Sequence, residues 1–129
     1  MILADTSIWI ELLNGKLGRT MSAEDVLGIV TCGPVVQEVL QGVRHEPAYR
    51  AFRDSFLALP RLCDPLTLNV FLKAAEIYRG GRRRGFTIRS STDCLIAAIA
   101  IENDVPLWHR DRDYSVIAAY TNLQAVDRP

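Results

Sequence analysis

The chain alternates short apolar runs with longer helical patterns, and this alternation restricts its fold more than any other feature. Residues 2–4 are wholly apolar, as expected of a strand buried on both faces. Further strands are predicted at residues 27–31, 62–63, 105–108 and 123–126. Strands that alternate with helices favour right-handed crossovers and a parallel sheet covered on both faces. The sequence therefore predicts an α/β fold.

The helical patterns lie between these strands and carry recognisable ends. Helices are predicted at residues 8–13, 35–40, 45–59, 66–78 and 91–102. Asp5 is a good cap for the first helix, and Pro34 and Gly42 bracket the second. Ser22 is predicted to cap a further short segment. The run 80–85 predicts a basic turn, and the polar run 109–113 predicts a loop after the fourth strand.

Length and composition restrict the organisation and the compartment. A chain of 129 residues fits one domain, predicted to span 1–129. Its 15 basic and 15 acidic residues give no net charge, so no global attraction to nucleic acid or anionic membrane is expected. Three cysteines without a C-x-x-C spacing predict a reducing, cytoplasmic location. The longest apolar run, residues 94–101, is too short to span a bilayer.

Four carboxylates fall where a predicted strand ends or a helix begins: Asp5, Glu38, Asp93 and Asp111. Taken singly, each has an ordinary interpretation as a helix cap, a solvated helix residue or a turn residue. Together they lie at positions that a parallel sheet brings to one edge, where ligands bind. Like charges in one pocket repel and need a neutralising cation. The pattern therefore predicts a site for a divalent metal ion and phosphate chemistry.

Arginines precede and flank the acidic positions. The group ahead of Asp93 and the pair around Asp111 comprise Arg82, Arg83, Arg84, Arg89, Arg110 and Arg112. Such residues favour phosphate contacts that position a nucleic acid without reading its sequence. A solvated basic turn is the alternative interpretation. Trp9 and Trp108 lie in apolar patterns and are predicted to be core residues.

Four segments together resemble the PIN-domain ribonucleases, and among them the VapC-type toxins. They are MILADTS at 1–7, VQEV at 36–39, RSSTDCLIAA at 89–98 and LWHRDRDY at 107–114. They span nearly the full chain in the order typical of that family. Two residues depart from its usual pattern, because His109 replaces a Thr, Ser or Asn and Tyr114 replaces a frequent Phe. Neither departure removes an acid.

The resemblance implies a PIN-like three-layer α/β/α fold with a central, mostly parallel sheet of four to five strands. It implies a metal-dependent endoribonuclease that hydrolyses RNA phosphodiesters with Mg²⁺, or Mn²⁺ as the alternative. It also implies the toxin component of a toxin–antitoxin system, with a VapB-like antitoxin as partner; a homodimer stays open. An apolar groove for the antitoxin, or simply core, is predicted from Tyr49, Phe52 and Phe56 with Ile8, Trp9 and Leu12.

The resemblance also implies roles for individual side chains. Asp5 and Asp93 are expected to ligate the metal directly, while Glu38 and Asp111 bind through water or hold a second ion. Asp113 is two residues from Asp111 and can take its place, so which of the two faces the metal is open. Thr6 or Ser7, after the first acid, is expected to orient a metal-bound water.

Two other classes of protein are alternatives. A phosphoacceptor receiver domain needs adjacent acids after its first strand and a lysine after a late strand. Here Asp5 is followed by Thr6, and the two lysines, Lys16 and Lys73, follow no late strand. A catalytically inactive PIN-like module for RNA binding or protein interaction is the main alternative, and the presence of all four acids argues against it.

Overall fold

The computed structural model describes residues 1–14 and 27–127 and contains five strands and six helices within them. The strands are β1 Ile2–Ala4, β2 Ile29–Cys32, β3 Arg61–Leu62, β4 Leu107–Trp108 and β5 Ala125–Val126. The helices are α1 Thr6–Leu13, α2 Gly33–Gln41, α3 Glu46–Leu57, α4 Leu68–Arg83, α5 Ser91–Glu102 and α6 Arg112–Tyr120. The segment predicted to be capped by Ser22 lies outside the described residues.

The five strands form one sheet in the order β3-β2-β1-β4-β5, and every pairing is parallel. The predicted α/β/α class with a central, mostly parallel sheet is confirmed. β1 lies in the middle, with Leu3 opposite both Val30 of β2 and Leu107 of β4. Leu3, Ala4 and Leu107 are completely buried. The pairing of β1 with β2 and with β4 therefore fixes the position in the sheet at which β1 ends.

The order in which the chain adds strands to the sheet creates a crevice beside β1. From β1 the chain adds β2 and then β3 on one side, and later returns to add β4 and β5 on the other. Helices α1, α2 and α3 pack in one group, and α4, α5 and α6 pack in a second. Right-handed crossovers place the two groups on opposite faces of the sheet. The carboxyl ends of β1 and β4 therefore flank a topological switch point, which is where open α/β sheets bind ligands.

The predicted basic turn at residues 80–85 is wrong, because helix α4 continues through Gly80 and Gly81 to Arg83. Both glycines are buried and face Tyr120, whose hydroxyl donates a hydrogen bond to the Ile77 carbonyl at 2.7 Å. A Cβ atom at Gly81 would lie 2.7 Å from that hydroxyl oxygen. The two glycines thus permit close helix packing and do not end the helix.

Helix α6 was missed, since residues 109–113 were predicted as a loop with no helix after them. The loop ends at Asp111, whose carboxylate caps α6 by accepting a hydrogen bond from the Asp113 amide at 2.9 Å. The other predicted strands and helices are present, most with ends shifted by one or two residues. Trp9 and Trp108 are core residues, as predicted.

All three cysteines are free thiols. Among the described residues, no helix combines the length and apolar character that a membrane crossing requires.

Gly81→Ala is expected to destabilise the protein by about 2 kcal/mol, because the added methyl group overlaps the Tyr120 hydroxyl. In a Tyr120→Phe background the cost should be smaller, since the nearest remaining ring atom lies 3.4 Å away. Gly33→Ala serves as the control, because nothing lies within 4 Å of its added Cβ. Urea unfolding of the four variants measures these differences. Equal costs for Gly81→Ala in both backgrounds would contradict the packing described.

Candidate metal centre

Asp5 lies directly after β1 and caps helix α1. Its Oδ1 atom accepts hydrogen bonds from the Ser7 hydroxyl at 2.6 Å and from the Ile8 amide at 3.4 Å. The pKa of Asp5 is raised to about 6, chiefly by burial and also by the charge of Asp111, while the bonds from Ser7 and Ile8 oppose the rise. The side chain is therefore held in place by its cap but is costly to ionise without a neighbouring cation.

Glu38 lies on helix α2, which begins after β2 with Pro34 in its first turn. The Thr6 hydroxyl donates a hydrogen bond of 2.8 Å to its Oε1 atom, across a separation of 32 residues. This contact fixes the carboxylate of Glu38 against the start of α1. Glu38 therefore shares the edge of the sheet with Asp5, as the sequence predicted.

Asp93 lies in the first turn of helix α5, whose cap is Ser90. The Tyr114 hydroxyl donates a hydrogen bond of 3.1 Å to Asp93 Oδ1. The pKa of Asp93 is raised to about 7, chiefly by burial and also by the charges of Asp111, Asp5 and Glu38, while the bond from Tyr114 opposes the rise. Asp93 is therefore close enough to Asp111, Asp5 and Glu38 for their charges to act on its carboxyl group.

Asp111 and Asp113 lie on the exit from β4, and each has an oxygen within 4.8 Å of one on Asp93 and of one another. Asp113 is buried, whereas Asp111 is partly exposed. His109, also buried, accepts a hydrogen bond at Nδ1 from the Asp111 amide at 3.2 Å. Burial lowers the pKa of His109, which favours the neutral ring as a structural acceptor. His109 is thus part of the scaffold that holds Asp111.

Arg89 contacts both of these acids from the loop before α5. Its Nε atom lies 3.2 Å from Asp113 Oδ2 and its Nη2 atom 3.2 Å from Asp111 Oδ1. Its backbone amide also donates to Asp113 Oδ2 at 3.3 Å. Arg89 is separated from these acids by 22 and 24 positions along the chain, so sequence inspection does not reveal the pairs.

The arginines of α4 do not pair with the acids. Arg82 lies over the ring of Tyr78 at 5.8 Å, and Arg84 lies over the ring of Tyr120 at 4.9 Å. Arg83 ends the helix on its exposed surface. These three residues are exposed at the end of α4, and their contact with RNA stays a prediction.

Arg110 and Arg112 flank Asp111 as the sequence indicated. The Arg110 guanidinium pairs with Glu11 at 3.2 Å, and its backbone amide donates to the Ser7 hydroxyl oxygen at 3.2 Å. Arg112 is exposed at the first position of α6. Ser7 therefore connects Asp5 to the β4 exit, and its hydroxyl hydrogen is donated to Asp5. Its predicted role in orienting a water stays untested.

The donor set fits a hard divalent cation. Every side chain that converges here offers carboxylate oxygens, which Mg²⁺ and Mn²⁺ prefer, and no thiolate faces them among the described residues. The raised pKa values of Asp5 and Asp93 mark the electrostatic cost of bringing these groups together. A bound cation would relieve that cost, so the residues present fit a metal ion.

The sequence did not predict the contacts that two residues make in the site. Tyr114 was noted only as a departure from the family's usual Phe, although its hydroxyl is what reaches Asp93. Arg89 was predicted to bind RNA, without its two acidic partners. The Tyr at this position was the available signal, because a fully buried phenol needs a hydrogen-bond partner.

An α/β sheet with a carboxylate cluster at its switch point defines a class of metal-binding proteins. Comparison with known proteins identifies the family within this class. A family model described as PIN domain matches residues 2–120. VapC ribonuclease Mb1587 of Mycobacterium bovis and Ribonuclease VapC11 of Mycobacterium tuberculosis are each 40% identical over 131 residues, covering 97% of this chain and of theirs. The chain belongs to the PIN-domain family, and its sequence is similar to those of VapC ribonucleases.

Solved structures share the fold at low sequence identity. VapBC-1 from nontypeable Haemophilus influenzae superposes with a TM-score of 0.71 at 18% identity, covering 98% of both chains. VapBC2 from Rickettsia felis gives 0.72 at 17% identity over the same share of each chain. This likeness shows that the predicted PIN-like fold is correct.

The electrostatic cost at Asp5 should appear in the pH dependence of the metal-free protein. Because its folded-state pKa is raised from 3.8 to about 6, wild type loses stability as pH rises through this range. Asn cannot ionise and keeps the capping oxygen. The free energy of unfolding of Asp5→Asn should therefore rise by about 2 kcal/mol relative to that of wild type between pH 4 and pH 8. Urea unfolding in the presence of a chelator measures the difference.

Asp54→Asn is the control, since that side chain is 65% exposed on α3. Its stability relative to wild type should not change with pH. A constant difference between Asp5→Asn and wild type across the same range would contradict the burial of Asp5 as a costly charge.

Tyr114→Phe should weaken metal binding by about 10-fold, because it removes the hydrogen bond that orients Asp93 and leaves the ring in place. Calorimetric titration with Mn²⁺ measures the affinity. Tyr120→Phe is the matched control, since it loses a buried hydroxyl bonded to Ile77 and not to an acid. Equal losses of affinity in the two variants would show that the effect is general destabilisation.

Proposed function

We propose that this protein is an endoribonuclease that depends on Mg²⁺ or Mn²⁺ and acts as the toxin of a toxin–antitoxin pair. The observation that carries the proposal is the convergence of Asp5, Glu38, Asp93 and Asp111 at the switch point of a PIN-domain sheet. The names of the VapC ribonucleases that share 40% of the sequence support RNA as the substrate. Carboxylate-held divalent cations are a common solution for phosphodiester hydrolysis.

Asp5, Asp93 and Asp111 are the residues proposed to hold the metal ion. When bound there, the ion would lower the pKa of a water molecule and offset the charge on the phosphate being attacked. The Ser7 hydroxyl orients the carboxylate of Asp5 and the Tyr114 hydroxyl that of Asp93, so both would offer their oxygens to an ion from fixed positions. This rigidity matters because Mg²⁺ requires nearly ideal octahedral geometry.

Glu38 has a different proposed task. Its Oε1 atom accepts the Thr6 hydroxyl, which leaves the carboxylate oriented beside the other acids. From this position Glu38 is proposed to accept a hydrogen bond from the attacking water or from a water that completes the coordination shell. Its role in catalysis is therefore that of a base or an orienting acceptor.

Asp111, and not Asp113, is proposed as the ligand from the β4 exit. Asp113 is buried, and its Oδ2 atom accepts hydrogen bonds from both the backbone and the side chain of Arg89. Asp111 is more exposed and acts electrostatically on both Asp5 and Asp93. Asp113 then serves to hold Arg89 and the loop that leads into α5.

The proposed partner is a VapB-like antitoxin, and the proposed location is the cytoplasm. One structural neighbour is a VapBC-5 complex described as a member of a family of toxin–antitoxin systems. The groove predicted around Trp9 and Phe56 is filled from within, because these two rings pack edge to face at 4.8 Å in the core. Ile10 and Leu13 on α1, each about half exposed, and Leu57 on α3, 39% exposed, are apolar residues of this helix group that a partner can contact. A homodimer is part of the same proposal.

Asp93→Asn should lower kcat/KM for RNA cleavage by at least about 100-fold, because it removes a ligand of a cation that contributes several kcal/mol to transition-state stabilisation. Cleavage of a fluorescent single-stranded RNA measures the effect. A chelator should abolish wild-type cleavage, and excess Mg²⁺ should restore it. Asp54→Asn, an exposed acid on α3, should cleave like wild type.

An inactive RNA-binding module makes a different prediction for the same assay. It would bind the RNA without cutting it, whether or not Mg²⁺ is present. Cleavage that persists unchanged in purified Asp93→Asn would refute the proposed site.

A further inference from the structure

Arg89 occupies an unusual position at the rim of the acid cluster. Its neighbours fix its backbone, since Ile88 is buried and Ser90 caps helix α5. Its amide donates to Asp113, a buried carboxylate. Its side chain nevertheless remains 64% exposed. The residue is therefore anchored at its base while its guanidinium group is open to solvent beside the candidate metal centre.

The guanidinium group of Arg89 has hydrogen-bond donors that its contacts with the acids do not use. Of its five N–H groups, the contacts to Asp113 and Asp111 engage one on Nε and one on Nη2. The remaining donors belong to the exposed part of the group. A phosphate is a good ligand for such donors, because its oxygens match the forked geometry of arginine. Arg89 can thus bind a phosphate without releasing Asp113.

Charge makes Arg89 distinct from the other arginines. Within the part of the chain that the structure describes, it is the one cation in a salt bridge with Asp111 or Asp113. Arg110 is paired with Glu11, and Arg82 and Arg84 rest on tyrosine rings. A cation bound to Asp111 opposes the binding of a second cation there, since both draw on the same negative charge.

We propose that Arg89 is a phosphate-binding residue of the active site, held in place by Asp113, and that it competes with the metal ion for Asp111. The inference rests on the proposed function and extends it to a named contact with RNA. It gives Arg89 two effects of opposite sign: it strengthens the binding of RNA and weakens the binding of the metal. A purely structural role has no such opposition, because loss of structure would weaken both.

The test compares Arg89→Gln with Arg89→Lys and with the control Arg53→Gln, an arginine on α3 paired with Asp54. Calorimetry with Mn²⁺ alone measures the metal affinity of each variant. Fluorescence anisotropy with a fluorescein-labelled single-stranded RNA of mixed sequence measures RNA affinity in an Asp5→Asn background, where cleavage is suppressed. Circular dichroism checks that each variant is folded.

Arg89→Gln should bind Mn²⁺ about 3-fold to 10-fold more tightly, because the competing charge is gone. It should bind RNA about 10-fold more weakly, and the salt dependence of RNA binding should fall by about 0.7 in the slope of log K against log salt. Arg89→Lys keeps the charge and loses the fork, so its metal affinity should match wild type while its RNA affinity falls several-fold. Arg53→Gln should change neither.

Weaker binding of both ligands by folded Arg89→Gln, or unchanged RNA affinity, would overturn the proposal. If Arg89→Gln does not fold, Arg89→Lys provides the test. An RNA affinity of Arg89→Lys equal to that of wild type would then overturn the proposal. Failure of the proposed function is a separate result, in which wild type neither binds Mn²⁺ nor cleaves RNA. RNA binding in the Asp5→Asn background would still report on Arg89 in that case.

Discussion

The mutual repulsion of partly buried carboxylates is the constraint on which the rest of this site depends. Asp5 and Asp93 are far apart along the chain, yet burial and neighbouring acids raise both pKa values, to about 6 and about 7. A fold has no structural reason to accept this cost, because apolar residues would pack there at lower free energy. The cost is understandable if the acids are retained to bind a cation.

The surrounding residues limit that cost without removing it. Ser7, Thr6 and Tyr114 each donate a hydroxyl hydrogen bond to one acid. These bonds stabilise and orient single carboxylates but carry no net charge. Arg89 supplies the charge, and its exposed guanidinium group contacts Asp111 and Asp113. Within the part of the chain that the structure describes, no ion pair reaches Asp5 or Asp93, so these two acids remain available to an ion.

The sequence predicted what depends on position along the chain and missed what depends on contacts across it. Asp5 and Asp111 could be placed because they follow apolar strands, and Asp93 because it follows a helix cap. The Tyr114–Asp93 bond joins residues 21 apart, which no local pattern reveals. The turn predicted at Gly81 was wrong for the same reason. A glycine pair indicates a turn unless its contact with the ring of Tyr120 is known.

Crystallographic data collected on Mn²⁺-soaked crystals would test the central claim most directly. The account predicts an anomalous difference peak bounded by Asp5, Asp93 and Asp111, with carboxylate oxygens about 2.0–2.3 Å from it. Arg89 should then have moved its Nη2 atom away from Asp111 while Asp113 still holds Nε. A peak elsewhere on the surface, with these acids unchanged and Arg89 still bridging them, would contradict it.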